Sequence, residues 1–213
     1  GLTDTVRFVT DYLFAEEAEK LMYATTGEDG IMEPGVTIID LKRGEKSMLY
    51  TGKAKYRQLA MDKKGERAAF IISFDEKDKA GNTYSLCFWN GKVVVSAVAT
   101  KGSAGLPEGW IIKENARLSF AEKSPRLFFG TSPEYKIRDT TVLEDERAVV
   151  DVWHWSEGVL HTAQVVRKAR EMKRTYTAVC HTDRGKVVQL ATAEMPEVQL
   201  PEKGDGATAL GIS

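Results

Sequence analysis

Short apolar stretches alternate with charged turns along most of this chain, and one such pattern occurs three times. Segments 14–23 (FAEEAEKLMY), 61–70 (MDKKGERAAF) and 120–129 (FAEKSPRLFF) align without a gap. Each segment opens on a large apolar residue, passes through a charged turn and closes on an aromatic residue nine positions after the opening. In each turn a small residue is followed two positions later by a base; these pairs are Ala18 and Lys20, Gly65 and Arg67, and Ser124 and Arg126. We call these segments the charged-turn units and predict strand, turn and strand for each.

Glycine-centred hairpins are predicted between and after the charged-turn units. They lie at 36–50 around Gly44, at 83–97 around Asn90-Gly91, at 149–164 around Glu157-Gly158, and at 175–191 around 183–185. Asn-Gly is a strong hairpin signal because both positions tolerate positive φ. The units begin at residues 14, 61 and 120, and a repeat of 40 to 50 residues with four strands is typical of β-propeller blades. The longer third repeat contains a Gly/Pro-rich stretch, 100–110, which is interpreted as an inserted loop.

The predicted fold is therefore all-β: a partial β-propeller of about three to four four-stranded blades over residues 1–194. The predicted divisions are blades at 6–52, 53–100 and 110–168, a half blade at 172–194, and a linker or tail at 195–213. A single blade cannot cover both of its faces, so neighbouring blades must stack, and the apolar ends of the charged-turn units are predicted to fill the layers between them. Segment 164–176 is the best helix candidate.

An incomplete ring has consequences for association. Closed propellers have four to eight blades, whereas this chain supplies about three and a half. Blade faces and strand edges would stay exposed, so self-association through the open blade faces is predicted.

Composition narrows the function classes. The 213 residues include 30 Lys+Arg and 31 Asp+Glu, and 42% are hydrophobic, as in a soluble globular protein. This balance predicts no nucleic-acid partner and no membrane partner. Two cysteines, Cys87 and Cys180, lie in strand-like runs and are predicted to be small buried hydrophobes, since a disulfide framework would need more cysteines.

No catalytic residue, metal site or cofactor is predicted. The string KGSAG at 101–105 has Lys101 where a nucleophile elbow needs glycine, which favours a flexible loop around Ser103. The histidines do not have a metal-ligand spacing. The acidic stretch 74–83 also carries lysines, so a solvated connection is the favoured interpretation.

Two tryptophans form the one candidate binding feature. Trp153 and Trp155 share a face of the predicted strand by alternation, and His154 points the other way. The pair is a possible platform for a sugar or a peptide, and packing between blades explains it equally well.

Longer strings resemble a known family. Segment 56–73 (YRQLAMDKKGERAAFIIS) resembles an element of TolB-like and peptidase propellers. Segment 106–133 is similar to the N-terminal β-propeller of large bacterial, dipeptidyl-peptidase-like members of the prolyl oligopeptidase family of serine peptidases. The hairpin strings at 149–164 and 175–191 follow in the same order, and the resemblance covers roughly 35–193.

The resemblance implies a propeller that sits over an α/β-hydrolase domain with a Ser-Asp-His triad and admits peptides rather than folded proteins. The hydrolase domain normally follows the propeller, so no catalytic residue is carried over to this chain. The expected function is the noncatalytic propeller portion of such a peptidase, which gates and positions peptide substrates in the periplasm or outside the cell. The alternative is a stand-alone TolB-like, WD40-like propeller that binds proteins or glycans.

Overall fold

The computed structural model describes residues 5–27, 33–75, 82–92, 96–134, 158 and 161–213, and the described chain is mostly β. Its elements are β1 (Val9–Phe14), β2 (Lys20–Thr25), β3 (Gly35–Asp40), β4 (Glu45–Thr51), β5 (Lys55–Met61), β6 (Ala68–Ser73), β7 (Ser85–Trp89), β8 (Ser96–Ala99), β9 (Trp110–Ile112), β10 (Ser119–Phe120), β11 (Arg126–Pro133), α1 (His161–Met172), β12 (Tyr176–His181), β13 (Lys186–Gln189), β14 (Glu197–Gln199), a short 3-10 turn (Glu202–Gly204) and β15 (Leu210–Ile212).

Three antiparallel sheets follow one another along the chain. Sheet 1 has the order β1-β2-β3-β4 and sheet 2 the order β5-β6-β7-β8. Sheet 3 has the order β10-β11-β12-β13, and β9 also pairs with β11. Each sheet is a meander in which neighbouring strands are consecutive or nearly so, as short turns between strands require.

The charged-turn units are strand, turn and strand, as the sequence predicts. They form the hairpins β1–β2, β5–β6 and β10–β11, and the opening residue of each unit ends its first strand. The turn after β7 is also confirmed. Gly91 has φ +83°, and a Cβ there would lie 2.6 Å from the carbonyl oxygen of Glu66, so glycine is required on two counts.

The sheets stack face to face, and the core lies in two layers. The layer between sheets 1 and 2 contains Met22, Val36, Ile38 and Leu49 from one side and Tyr56, Phe70, Ile72 and Cys87 from the other. The layer between sheets 2 and 3 contains Ala69, Ile71, Leu86 and Phe88 opposite Leu127, Phe129, Ala178 and Cys180. The alternation of side chains along each strand lets one sheet supply both layers.

The predicted hairpin at 149–164 is wrong from residue 161 onward. Residues 161–172 form α1, which confirms the helix predicted at 164–176 with an earlier start. Most residues of this stretch (HTAQVVRKAREM) are alanine or have unbranched side chains, such as Gln164, Arg167 and Glu171, and these residue types favour helix. The strands placed in a half blade, β12 and β13, instead pair with β11 and complete sheet 3. Within the described residues, no helix is long and apolar enough to cross a bilayer.

The tail at 195–213 is not a linker. β14 and β15 form an antiparallel hairpin, which we call the fourth hairpin, and its turn packs on sheet 3. Leu200 joins the apolar cluster of Phe128 and Val179. The Asp205 carboxylate accepts hydrogen bonds from the backbone amides of Lys123 (2.9 Å) and Ser124 (2.7 Å). The Pro-, Gly- and Ala-rich composition predicted a linker, and the contacts that dock the tail could not be foreseen because they join residues about 80 positions apart.

Candidate functional site

The bases of the charged-turn units link each unit to the next one. The Lys20 ammonium donates a hydrogen bond to the Gly65 carbonyl oxygen (2.9 Å), and the Arg67 guanidinium donates to that of Ser124 (3.2 Å). Arg126 donates to the carbonyl oxygens of two glycines of the fourth hairpin, Gly204 (3.0 Å) and Gly206 (2.7 Å). The repeated base therefore joins each sheet to the turn that follows, and the fourth hairpin provides the third acceptor turn.

A row of alternating charges runs along the same turns. Lys63 lies 3.8 Å from Glu17 and 2.6 Å from Glu122, and Glu122 also lies 3.0 Å from Lys203. The hydrogen bond from Lys63, followed by that from Lys203, holds the pKa of Glu122 below its usual value. We call Glu17, Lys63, Glu122 and Lys203 the charge row; its regular alternation holds neighbouring turns together and forms no catalytic arrangement.

The parts of the first strands that lie away from these turns differ from the charge row. β1 lies beside β5, and β5 lies beside β10, so the first strands of the three sheets are neighbours. Each is irregular: the pairing shifts between Val9 and Asp11 in β1 and between Arg57 and Ala60 in β5. In sheet 3 the corresponding strand is interrupted between β9 and β10. Bulges redirect side chains and often occur beside functional sites.

Gln58 lies in the β5 irregularity and has an unfavourable backbone conformation. Its φ is +52°, in the left-handed region that a glutamine adopts at a cost of about 1 kcal/mol or more. Its side-chain amide donates a 2.6 Å hydrogen bond to the backbone carbonyl oxygen of Glu114, which lies between β9 and β10. This contact bridges sheets 2 and 3 and offsets part of the backbone cost.

Around Gln58 is a polar group that we call the inner-edge cluster: Arg57, Gln58, Tyr84 and Glu114. The Tyr84 hydroxyl donates to Glu114 Oε2 (2.8 Å), and Arg57 Nε lies 3.4 Å from the same oxygen. Tyr84 is buried, and its pKa is raised by burial and then by the bond to Glu114. The Arg57 and Glu114 side chains remain 40% and 41% exposed. A guanidinium and a carboxylate are thus held side by side at the solvent surface, with donors and acceptors for a polar ligand.

Lys113, the residue before Glu114, adds a second basic side chain. It is buried, and burial lowers the pKa of its ammonium. Its backbone amide donates to the Gly130 carbonyl oxygen (3.0 Å), which fixes the chain just before Glu114. The cluster is therefore anchored to the central strand of sheet 3.

The predicted binding pair, Trp153 and Trp155, lies outside the described residues, and so does His154. Ser103 lies in a loop, where its Oγ accepts a hydrogen bond from the Thr100 backbone amide (2.8 Å). Among the described residues, no group of three or more His, Cys, Asp or Glu side chains is arranged to hold a metal ion. Asp75, in the acidic stretch, accepts hydrogen bonds from the Thr83 amide (2.9 Å) and the Ser73 hydroxyl (3.2 Å).

Both cysteines are buried and free, as the sequence predicts. Burial raises the pKa of Cys87 to about 12. Burial, followed by the nearby charge of Asp183, raises the pKa of Cys180 to about 11. The thiols stay protonated near neutral pH and act as packing groups.

Sequence reasoning missed the inner-edge cluster. Gln58 and Glu114 are 56 positions apart, and neither lies in a motif with a characteristic spacing. The string Arg57-Gln58 precedes the second charged-turn unit without any local signal of a left-handed backbone. Only the stacking of sheets 2 and 3 brings these side chains together.

Taken together, the elements define a mostly β protein of stacked antiparallel sheets with a polar inner edge. No protein-family model matches the sequence, and no curated protein matches it. Among solved structures, it is similar to the Pyrococcus horikoshii acylaminoacyl peptidase in an orthorhombic crystal form, with a TM-score of 0.44 and 14% identity. The same values describe an acylaminoacyl peptidase in complex with Z-Gly-Gly-Phe-chloromethyl ketone. Each match covers 85% of this chain and 24% of the other, so this chain spans about a quarter of their length.

Proposed function

We propose that the three sheets are blades of a β-propeller and that the fourth hairpin begins a further blade. In this proposal the chain is the noncatalytic propeller portion of a prolyl-oligopeptidase-like serine peptidase, which gates and positions peptide substrates outside the cell or in the periplasm. The observation that carries the proposal is the adjacency of β1, β5 and β10, which lines up the first strands of consecutive sheets. In a propeller such strands line the central channel, so the inner-edge cluster faces that channel.

The inner-edge cluster supplies groups that suit an extended peptide. Arg57 donates to peptide carbonyl oxygens, and Glu114 accepts from peptide amides. Tyr84 holds the Glu114 carboxylate and Gln58 holds the Glu114 backbone carbonyl, so little side-chain entropy of Glu114 is lost on binding. A folded protein presents few free backbone groups and is too wide for a channel of this kind. The cluster thus selects and orients peptides, and bond cleavage belongs to a hydrolase domain.

A titration with short peptides tests this role. We expect the chain to bind unstructured peptides of about six residues and not a small folded protein, measured by calorimetry. Arg57→Ala should weaken peptide binding by about fivefold, which corresponds to the roughly 1 kcal/mol of one exposed charged hydrogen bond. Arg43→Ala, in the exposed turn between β3 and β4, is the matched control and should leave binding unchanged.

A cleavage assay and the sequence of the source gene test the assignment to a peptidase. The chain alone should not cleave the peptides, and the source gene beyond codon 213 should encode Gly-x-Ser-x-Gly, then Asp, then His. Equal affinities for Arg57→Ala and Arg43→Ala would remove the inner-edge cluster from the proposal. A gene without the hydrolase motifs would contradict the peptidase assignment.

The alternative function is a binding module that uses Trp153 and Trp155. Stacking of two tryptophans on a sugar or peptide would then carry recognition. Loss of glycan or protein binding in Trp153→Ala, with Arg57→Ala unaffected, would favour this alternative.

A further inference from the structure

A cavity of about 350 Å³ lies where the first strands of the three sheets end, beside the charge row. Its walls come from β1, β5 and β10 and from the turns that follow these strands. Ligand pockets in proteins have volumes of about 300 Å³ or more, so this cavity has room for one small group, such as a single side chain. We call it the strand-end cavity; its lining includes Leu59, Met61, Arg117, Leu118 and Phe120.

Apolar side chains from two neighbouring sheets line the strand-end cavity. Leu59 in β5 and Leu118 just before β10 are buried. Met61 and Phe120, the opening residues of the second and third charged-turn units, are half-buried against the same core layers. Burial of a further apolar group against these side chains is favourable, so the lining suits an apolar side chain of a ligand.

Most of the charged side chains around the strand-end cavity are already paired. Lys63 and Lys203 lie 2.6 Å and 3.0 Å from the same oxygen of Glu122. Asp62 forms an ion pair with Arg67 at 3.0 Å. A ligand that used any of these groups would have to compete with an existing ion pair.

Arg117 is the exception among the bases of the lining. It is exposed directly before Leu118, and within the described part of the chain it forms no hydrogen bond or ion pair. The acid Glu16, which also lines the cavity, acts on Lys63: the hydrogen bond to Glu122 raises the pKa of Lys63, and the charge of Glu16 adds to this effect. A guanidinium binds a carboxylate through two parallel hydrogen bonds, so Arg117 suits a carboxylate of a ligand.

We propose that the strand-end cavity binds the last residue of a peptide, with Arg117 holding the C-terminal carboxylate and the apolar lining holding the side chain of the same residue. In a C-terminal residue both groups branch from one Cα, which matches a cation and an apolar wall on adjacent residues, Arg117 and Leu118. An acidic side chain carries its carboxylate at its own end and leaves the apolar lining uncovered. The ligand class is an unstructured peptide with a free C-terminus and an apolar last residue.

This site rests on the proposed function, because the rest of the peptide lies along the inner-edge cluster. Glu114 and Arg117 are three positions apart, so their Cα atoms are separated by at most roughly 11 Å. Three or four extended peptide residues span that distance. The peptide C-terminus is then held at Arg117, while backbone groups a few residues earlier meet Arg57 and Glu114.

Calorimetry with the whole chain and matched peptides tests the site. The probe is a hexapeptide of glycine and serine that ends in leucine with a free carboxylate. The same peptide with a C-terminal amide should bind about tenfold more weakly, because it loses the charge-assisted pair with Arg117. The free-acid peptide that ends in glycine should also bind about tenfold more weakly, because nothing fills the apolar lining. An amide peptide with glutamate in place of leucine should bind no better than the leucine amide.

Variants of single arginines assign the effect to Arg117. Arg117→Ala should weaken binding of the free-acid probe about tenfold and so remove its advantage over the amide. Arg117→Lys keeps the charge without the two-pronged geometry and should retain part of that advantage. Arg184→Ala changes an arginine whose side chain is 80% exposed in the turn between β12 and β13, and it should keep the full advantage. Circular dichroism checks that each variant is folded.

The outcomes separate this site from the proposed function. Equal binding of the free acid and the amide to the wild-type chain, with Arg57→Ala still weakening both, would overturn the C-terminal site and leave the proposed function standing. Tighter binding of the glutamate amide than of the leucine amide would assign Arg117 to acidic side chains and also overturn the C-terminal site. A wild-type chain that binds none of the peptides would overturn both proposals.

Discussion

At the scale of single residues, Arg67 shows why a base recurs in every charged-turn unit. Its guanidinium forms an ion pair with Asp62 (3.0 Å), in which the side chains are only 22% and 13% exposed. It also donates to the Ser124 carbonyl oxygen of the next unit and lies 5.2 Å from the centre of the Phe120 ring. One side chain thus joins its own turn to the turn of the following sheet.

We expect Arg67→Ala to lower the free energy of unfolding by about 2–3 kcal/mol, because it leaves Asp62 partly buried without its cation and frees the Ser124 carbonyl group. Urea denaturation measures this change. Arg184→Ala is the matched control, since the Arg184 side chain is 80% exposed and, among the described residues, forms an ion pair with its neighbour Asp183 alone. The control should change stability by less than about 0.5 kcal/mol. Similar losses in both variants would show that Arg67 does not join the sheets.

The sequence showed that this base recurs but not what it does. Its spacing from the small residue of its own unit is visible in the alignment, yet its acceptor belongs to the next unit, 57 positions away. The same limit applies to Arg57 and Glu114. Pairwise contacts between sheets depend on stacking, and no local pattern encodes them.

At the scale of elements, hairpins were predictable where turn chemistry is local. Gly91 and Gly44 both specify their turns through positive φ. The fourth hairpin was missed although a signal existed: Leu200 precedes Gly204 by four positions, as Met61 precedes Gly65. Two positions after Gly204, where the units have a base, the chain has Gly206, and the Pro- and Gly-rich composition therefore outweighed the partial repeat.

Gly204 provides a test that the fourth hairpin is docked on sheet 3. Its φ is +89°, and a Cβ there would lie 2.5 Å from the Phe128 ring. Gly204→Ala should therefore cost the left-handed strain plus a steric clash, about 2–3 kcal/mol in urea denaturation. Gly102→Ala is the matched control, because Gly102 has φ +81° and no atom of the described residues lies within 4 Å of its Cβ position; this variant should cost the strain of about 1 kcal/mol alone. Equal costs would mean that the tail does not pack on sheet 3.

At the scale of the whole molecule, the hydrophobic pattern was enough to predict stacked four-stranded sheets, because each strand pattern repeats and one sheet cannot cover both faces. Which strands form sheet 3 could not be predicted in the same way. β11 and β12 are neighbours in the sheet, but α1 lies between them in the sequence. The two strands are therefore not joined by a short turn that a local pattern could reveal.

Stacking also sets an order of stability across the molecule. Sheet 2 is covered on both faces, and every residue of β6 is buried, whereas Tyr12 and Phe14 of β1 are exposed. In a stack of repeats, opening begins at the ends because an end sheet loses only one interface. We expect amide hydrogen exchange, followed by mass spectrometry of peptides, to be slowest in β6 and at least tenfold faster in β1 and β15.

The contrast between β6 and β1 tests this order. β6 lies between two core layers, so its amides exchange only when both layers open. β1 contributes Leu13 to one layer alone, so a local opening of sheet 1 exposes its amides. If β1 exchanged as slowly as β6, sheet 1 would not be the weak part of the stack.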